Sequence, residues 1–252
     1  MNIEQALVQG KEAHLAGRLG RAREAYEQVL AVEPNNIEAR HLVGVLDLQE
    51  GHAEAAVRRL REVVTEAPEQ PKFRLNLALA LLESGDIDGA RDGFAWVVAR
   101  QPNHLKAVAN LARMEQLQGR HLEAFDMFSK AIALSDQIPE LFLNRGVSAV
   151  ELGRLKEAEA DFERALLRAP MSMSAAANLD RAIGGVGRDE RRNRWQSIIA
   201  RCPVCPGGHL ALAKTLARSG EWSEAERHLA RACMQAPLAG SPRRERAQLL
   251  FA

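Results

Sequence analysis

Glycine stands at positions 17, 51, 85, 119, 153 and 187, each 34 residues after the one before, and Gly220 follows after 33. A fixed interval of this length restricts the chain to stacked copies of one small unit, because each copy leaves an apolar face that only a neighbour can cover. Other residues keep the same step. Alanine trails every one of these glycines except Gly187 by five, at Ala22, Ala56, Ala90, Ala124, Ala158 and Ala225, and a bulky residue trails the same glycines by nine at Tyr26, Leu60, Phe94, Phe128, Phe162 and Leu229. Prolines close the units at Pro34, Pro68, Pro102, Pro170, Pro203 and Pro237; in the fourth unit Asp136 takes that place and Pro139 arrives three residues later.

Between these marks lie two amphipathic stretches per unit, each about a dozen residues long by its apolar spacing. The glycine between them can adopt the left-handed turn that ends a helix, and the proline cannot continue one. With 46% apolar, 27% charged and only 4% aromatic residues, the chain can bury a core and favours helices over strands. The reading is an all-α chain of helix hairpins, with the alanine admitting close helix approach and the bulky residue filling the gap one turn later.

Stretches such as "GRLGRAREAYEQVLAVEPNN" and "GRLKEAEADFERALLRAP" resemble the tetratricopeptide repeat family, whose unit is a 34-residue helix–turn–helix. The resemblance covers residues 3–239 as seven repeats: 3–36, 37–70, 71–104, 105–138, 139–172, a degenerate 173–205, and 206–239. It implies a right-handed superhelical solenoid with the first helix of each repeat lining a concave groove. The sixth repeat departs from the pattern. One residue is missing between Gly187 and Trp195, an arginine (Arg191 or Arg192) replaces the small alanine, and Gly184 and Gly185 each weaken the first helix by on the order of 1 kcal/mol. A frayed or bent helix is expected there. Residues 240–252 read as a capping helix begun by Ser241 and Pro242, or as the start of a truncated further repeat.

Asparagine is a poor residue for a helix interior, yet Asn76, Asn110, Asn144 and Asn178 recur 34 apart. In the resembled family this place faces the groove, where a carboxamide can pair with both the C=O and the N–H of an extended peptide. The nearest resemblance is to the asparagine ladder of O-GlcNAc transferase-type repeat regions. Val8, Leu42 and Ala211 occupy the place in the other repeats. Packing or water ordering is the alternative role for the four amides. Lys72, Lys106, Arg113 and Arg181 lie one turn away and complete the expected peptide-binding set, interspersed with Glu83, Glu140 and Glu151; His14 and His41 are placed towards the groove as well.

Catalysis finds no support: glycine-rich phosphate loops, HExxH and GxSxG are missing, and no nucleophile stands at a useful spacing from a base. No cofactor is expected. Cys202 and Cys205 in "CPVC" are weak metal candidates for want of a second pair, with Cys233, His209 and His228 as the conceivable completing ligands. No window approaches the roughly 18 apolar residues of a membrane span. Three clustered cysteines fit a reducing, cytoplasmic setting. Net charge is +1, although residues 173–252 hold 13 Lys/Arg against 7 Asp/Glu, so nucleic acid is not the expected partner. The expectation is a non-catalytic scaffold of bacterial type holding an extended protein segment. The alternatives are the N-terminal targeting region of a larger glycosyltransferase or sulfotransferase, and a scaffold that assembles with its own copies.

Overall fold

The computed structural model describes residues 2–238, 240 and 242–244. Among these the regular elements are all helical: α1 (Ile3–Leu15), α2 (Leu19–Val32), α3 (Ile37–Gln49), α4 (Ala53–Glu66), α5 (Pro71–Glu83), α6 (Ile87–Arg100), α7 (Leu105–Leu117), α8 (His121–Leu134), α9 (Pro139–Glu151), α10 (Leu155–Arg168), α11 (Met173–Ala182), a 3-10 turn (Ile183–Gly185), α12 (Arg188–Arg201), α13 (Pro206–Arg218) and α14 (Trp222–Gln235). The all-α class and the helix–turn–helix repeat therefore hold. The proposed capping helix at 240–252 lies largely outside the described residues. The chain divides into two compact units, residues 1–114 and 115–252.

The glycine register has a direct cause. Gly17, Gly51, Gly85, Gly119, Gly153 and Gly220 all have φ between 71° and 87°, a region that side chains with a Cβ rarely adopt. At each, the residue after the glycine donates its N–H back across the turn, as Arg18 does to the Ala13 carbonyl at 2.9 Å and Arg154 to the Ala149 carbonyl at 2.8 Å. This closes the last helical turn and satisfies carbonyls that would otherwise lack partners.

Packing explains the rest of the pattern. Ala22, Ala56, Ala90, Ala124, Ala158 and Ala225 are wholly buried, and the bulky residues that follow them are buried too. Tyr26 and Phe162 lie over glycines of the preceding helix: a Cβ on Gly10 would meet the Tyr26 ring at 2.3 Å, and one on Gly146 would meet the Phe162 ring at 2.6 Å. Across successive hairpins, α3 packs on α5, α9 on α11 and α11 on α13, so within each unit the first helices form neighbouring walls.

The sixth hairpin deviates as its sequence implies. Helix α11 has 10 residues where the first helices of other hairpins have 13, and Gly184 and Gly185 fall in or end the 3-10 turn. Gly187 does not turn left-handed. Its φ is −61° and it serves as the N-cap of α12, because the missing residue removes the turn that the other glycines make. Arg191, standing where an alanine is expected, pairs with Asp180 at 2.6 Å, and the same carboxylate accepts the Trp195 indole N–H at 3.0 Å. Trp195 is fully buried and fills the space that the alanine–aromatic pair fills elsewhere.

Candidate peptide-binding site

Each of the four asparagines lies in the first helix of its hairpin, on α5, α7, α9 and α11, and each is half-buried. Three of them use one end of the carboxamide within the protein. Asn76 donates from Nδ2 to His41 Nε2 at 2.7 Å. Asn110 donates from Nδ2 to the Lys106 carbonyl at 2.7 Å, one turn back on its own helix. Asn178 accepts at Oδ1 from Arg181 at 3.4 Å. The main-chain carbonyl of Asn144 accepts from the Gln116 amide at 2.8 Å, and Gln116 also donates to Ser148 at 2.8 Å. The bonded amides are thereby oriented: Asn76 and Asn110 direct oxygen away from their partners, and Asn178 directs nitrogen away from its own.

The residues around them fall into two local groups. In residues 1–114, Lys72 pairs with Glu38 at 3.1 Å, and Lys11 reaches the same carboxylate oxygen at 3.2 Å, which ties α1, α3 and α5 together. The bond from His14 to Gln49, 2.7 Å, joins α1 to α3. These bonds recur near the repeat interval because stacking brings equivalent positions side by side. Lys106 and Arg113 are exposed on α7. In residues 115–252, Arg181 is exposed beside Asn178, while Glu140 and Glu151 stand exposed on α9.

One placement needs correcting. His41 does not face a groove: it is 1% exposed, its ring 4.7 Å from that of Phe73. Burial, aided by the Lys72 charge and opposed by Glu38, pushes its pKa down to about 4, so it is neutral at ordinary pH. The sequence carried a faint signal, since the equivalent places hold Leu75, Ala109, Leu143 and Leu210.

The cysteines serve the fold. Cys205 is the N-cap of α13 and its sulfur accepts from the Gly208 N–H at 3.2 Å. Burial pushes its thiol up to about 11 and raises that of Cys202 as well. Of the conceivable completing ligands, His209 and His228 pair with each other, Nδ1 to Nδ1 at 2.8 Å, and His209 Nε2 lies 3.2 Å from the Pro203 carbonyl. Among the described residues, Asp47, Glu50 and His52 are the group that brings three potential ligand atoms within 4.8 Å of one another. Arg23 already bridges Asp47 and Glu50 at 2.7 Å each, and Arg59 holds the second Asp47 oxygen at 2.9 Å, so this is an ion-pair knot. Among the described residues, no helix is long and apolar enough to cross a membrane.

Tetratricopeptide repeat family profiles match residues 47–114, 143–183 and 206–231. A tetratricopeptide-repeat-containing protein of Pseudomonas aeruginosa is 34% identical over 119 residues, which is 46% of this chain and 48% of that protein's length. This chain spans still smaller shares, 19% and 13%, of two further curated relatives that it matches. Among solved structures, a tetratricopeptide repeat protein of Parabacteroides merdae superposes with a TM-score of 0.62 at 14% identity, covering 99% of both chains. MamA superposes with a TM-score of 0.57 at 21% identity, over 66% of this chain and 91% of that one.

Proposed function

The chain is built of tetratricopeptide repeats, and from that premise we propose that it is a non-catalytic scaffold that binds an extended segment of a partner protein through Asn76, Asn110, Asn144 and Asn178. The observation that carries the reading is the recurrence of a half-buried carboxamide at one place in four successive first helices, with one end tied inside the protein in three of them. A side-chain amide held in this way loses little further freedom on binding, which lowers the cost of association.

The orientation defines what each amide reads. Asn76 and Asn110 present an acceptor, suited to a main-chain N–H, and Asn178 presents a donor, suited to a C=O. Main-chain groups are shared by every sequence, so such contacts supply affinity while neighbouring side-chain sites supply selectivity. Lys72, Lys106, Arg113 and Arg181 add positive charge around the amides, in alternation with carboxylates, a mixture that fits protein better than a uniformly anionic nucleic acid.

The test is affinity purification with the intact chain and with a variant carrying alanine at all four asparagines, followed by mass spectrometry of the recovered proteins. Partners recovered by the first and lost by the second, at equal helicity by circular dichroism, support the reading. Recovery of the same partners in the same yield by both defeats it.

A further inference from the structure

The bonded asparagines differ in what fixes them. Asn110 is tied to the Lys106 carbonyl at 2.7 Å, a group that only accepts, so its nitrogen turns to that partner and its oxygen points away. Asn178 is tied to a guanidinium, which only donates, so its oxygen stays with Arg181. Asn76 is tied to a group that can do either. Its partner is Nε2 of His41 at 2.7 Å, across the contact between α3 and α5.

A neutral imidazole carries one ring proton, on Nδ1 or on Nε2. With the proton on Nδ1, Nε2 accepts from the Asn76 amide nitrogen and the amide oxygen is left for the groove. With the proton on Nε2, the ring donates to the Asn76 oxygen and the amide nitrogen is left instead. Both arrangements occupy the same space, because the two ends of a carboxamide are nearly alike in size. The second ring nitrogen keeps both within reach. A hydrogen bond at that nitrogen ordinarily chooses the tautomer, as the Pro203 carbonyl 3.2 Å from His209 Nε2 holds a proton there. His41 has no such bond: its Nδ1 is buried without a hydrogen-bond partner, in a ring 1% exposed and 4.7 Å from that of Phe73. Each tautomer therefore leaves one unpaired atom at Nδ1, a donor in one and an acceptor in the other, and the surroundings commit the ring to neither.

We infer that His41 is a buried positioning residue that lets Asn76 present either an acceptor or a donor, the choice being made by the main-chain group that the bound segment brings to it. The inference rests on the scaffold reading above and adds how one of its amides selects. A segment that offers an N–H keeps the ring proton on Nδ1. One that offers a C=O draws the amide nitrogen outward; the ring then loses the Nδ1 proton to water and takes one at Nε2, remaining neutral throughout. Asn110, bonded to a carbonyl, is confined to the first kind of contact. The segment thus meets an amide of fixed polarity at Asn110 and one of adjustable polarity at Asn76, so a shift of one main-chain group is tolerated at the second and rejected at the first.

Nitrogen-15 in the seven histidine rings reports the proton directly, because bare and protonated ring nitrogens resonate far apart, and the His41 signals are those missing from His41→Leu. At pH 7.5 the ring is uncharged, burial having lowered its pKa to about 4. In the intact free chain both His41 nitrogens should resonate between the two extremes, the mark of two tautomers in exchange. Dodecapeptides are selected on the chain from a phage-displayed library, and those that Asn76→Ala weakens are added to the labelled protein. They should drive the His41 shifts to an extreme, some peptides to one and some to the other. His41→Leu, which leaves the amide untethered, should weaken the same peptides by about three- to tenfold in fluorescence anisotropy at unchanged helicity. A single tautomer that no bound peptide alters, or a mixture that binding leaves unmoved or moves only one way, would overturn the inference while the scaffold reading stands. If no selected peptide is weakened by Asn76→Ala, or none is selected, the scaffold reading fails at this amide and the role of His41 falls with it.

Discussion

Replacing Asn76 by alanine separates a structural role for this residue from a binding one, because its partner His41 is buried. The ring is 1% exposed, and its Nδ1 has no hydrogen-bond partner, so the 2.7 Å bond at Nε2 carries its polar satisfaction. Removing that bond leaves a neutral imidazole unpaired in the interior, at a cost of about 1–3 kcal/mol. The double variant H41L/N76A restores the leucine that stands at this place in Leu75 and Leu143, and should recover most of the loss. Acid supplies an independent check. The folded pKa of His41 is about 4, below its ordinary 6.5, so the unfolded chain takes up a proton first as pH falls. Stability contributed by the neutral ring is therefore full above pH 6.5 and drains away between 6.5 and 4, by about 2 kcal/mol at pH 5. Urea unfolding followed by circular dichroism at pH 7.5 and pH 5.0 measures both effects. The His41→Leu variant should show a shallower acid loss, with the remainder owed partly to His209 and His228, whose pKa values burial also lowers. An N76A variant as stable as the parent, or an H41L variant with the parent's pH dependence, would refute the reasoning.

Three further outcomes are expected. Gly153→Ala should destabilise by at least about 1 kcal/mol, since φ is 72° there, whereas Gly187→Ala should stay within about 0.5 kcal/mol because φ is −61°; thermal unfolding compares them. Gly146→Ala and Phe162→Leu should couple, the smaller side chain making room for the new methyl, with an interaction energy of about 0.5–3 kcal/mol in a double-mutant cycle, and strict additivity would deny the contact. In the native protein the half-exposed Cys233 should react with iodoacetamide well before the buried Cys202 and Cys205, as peptide mass spectrometry after timed quenching would show; simultaneous labelling of all three would contradict their placement.

The features legible in the sequence are those that repetition amplifies. A single glycine says little, but glycines recurring at one interval, with alanine and a large side chain at constant offsets, state a hairpin that must stack, and Gly17 to Gly153 turn left-handed for that reason. The irregular sixth hairpin was legible too, as a missing residue and an arginine where space is tight. Other features were not, because they depend on what adjacent hairpins place side by side. The contact of Asn76 with His41 joins residues 35 apart through the stacking of α3 and α5, and position 41 alone reads as an outlying histidine. Cys205 as an N-cap competes with the metal reading of any CxxC spacing. The open cavity between α11 and α13, with Ala176, Ala177, Gly207 and Ala211 among its walls, is still harder to foresee, since its lining comes from two separate hairpins.

Residues 183–187 also bear on how the molecule yields under load. A row of modules held mainly by nearest neighbours lengthens first at its softest link. Residues 183–187 form a 3-10 turn followed by a glycine cap, in place of the closed left-handed turn found at Gly153. Under tension this segment lacks the closing bond that the left-handed turns make, so it is expected to extend before they do.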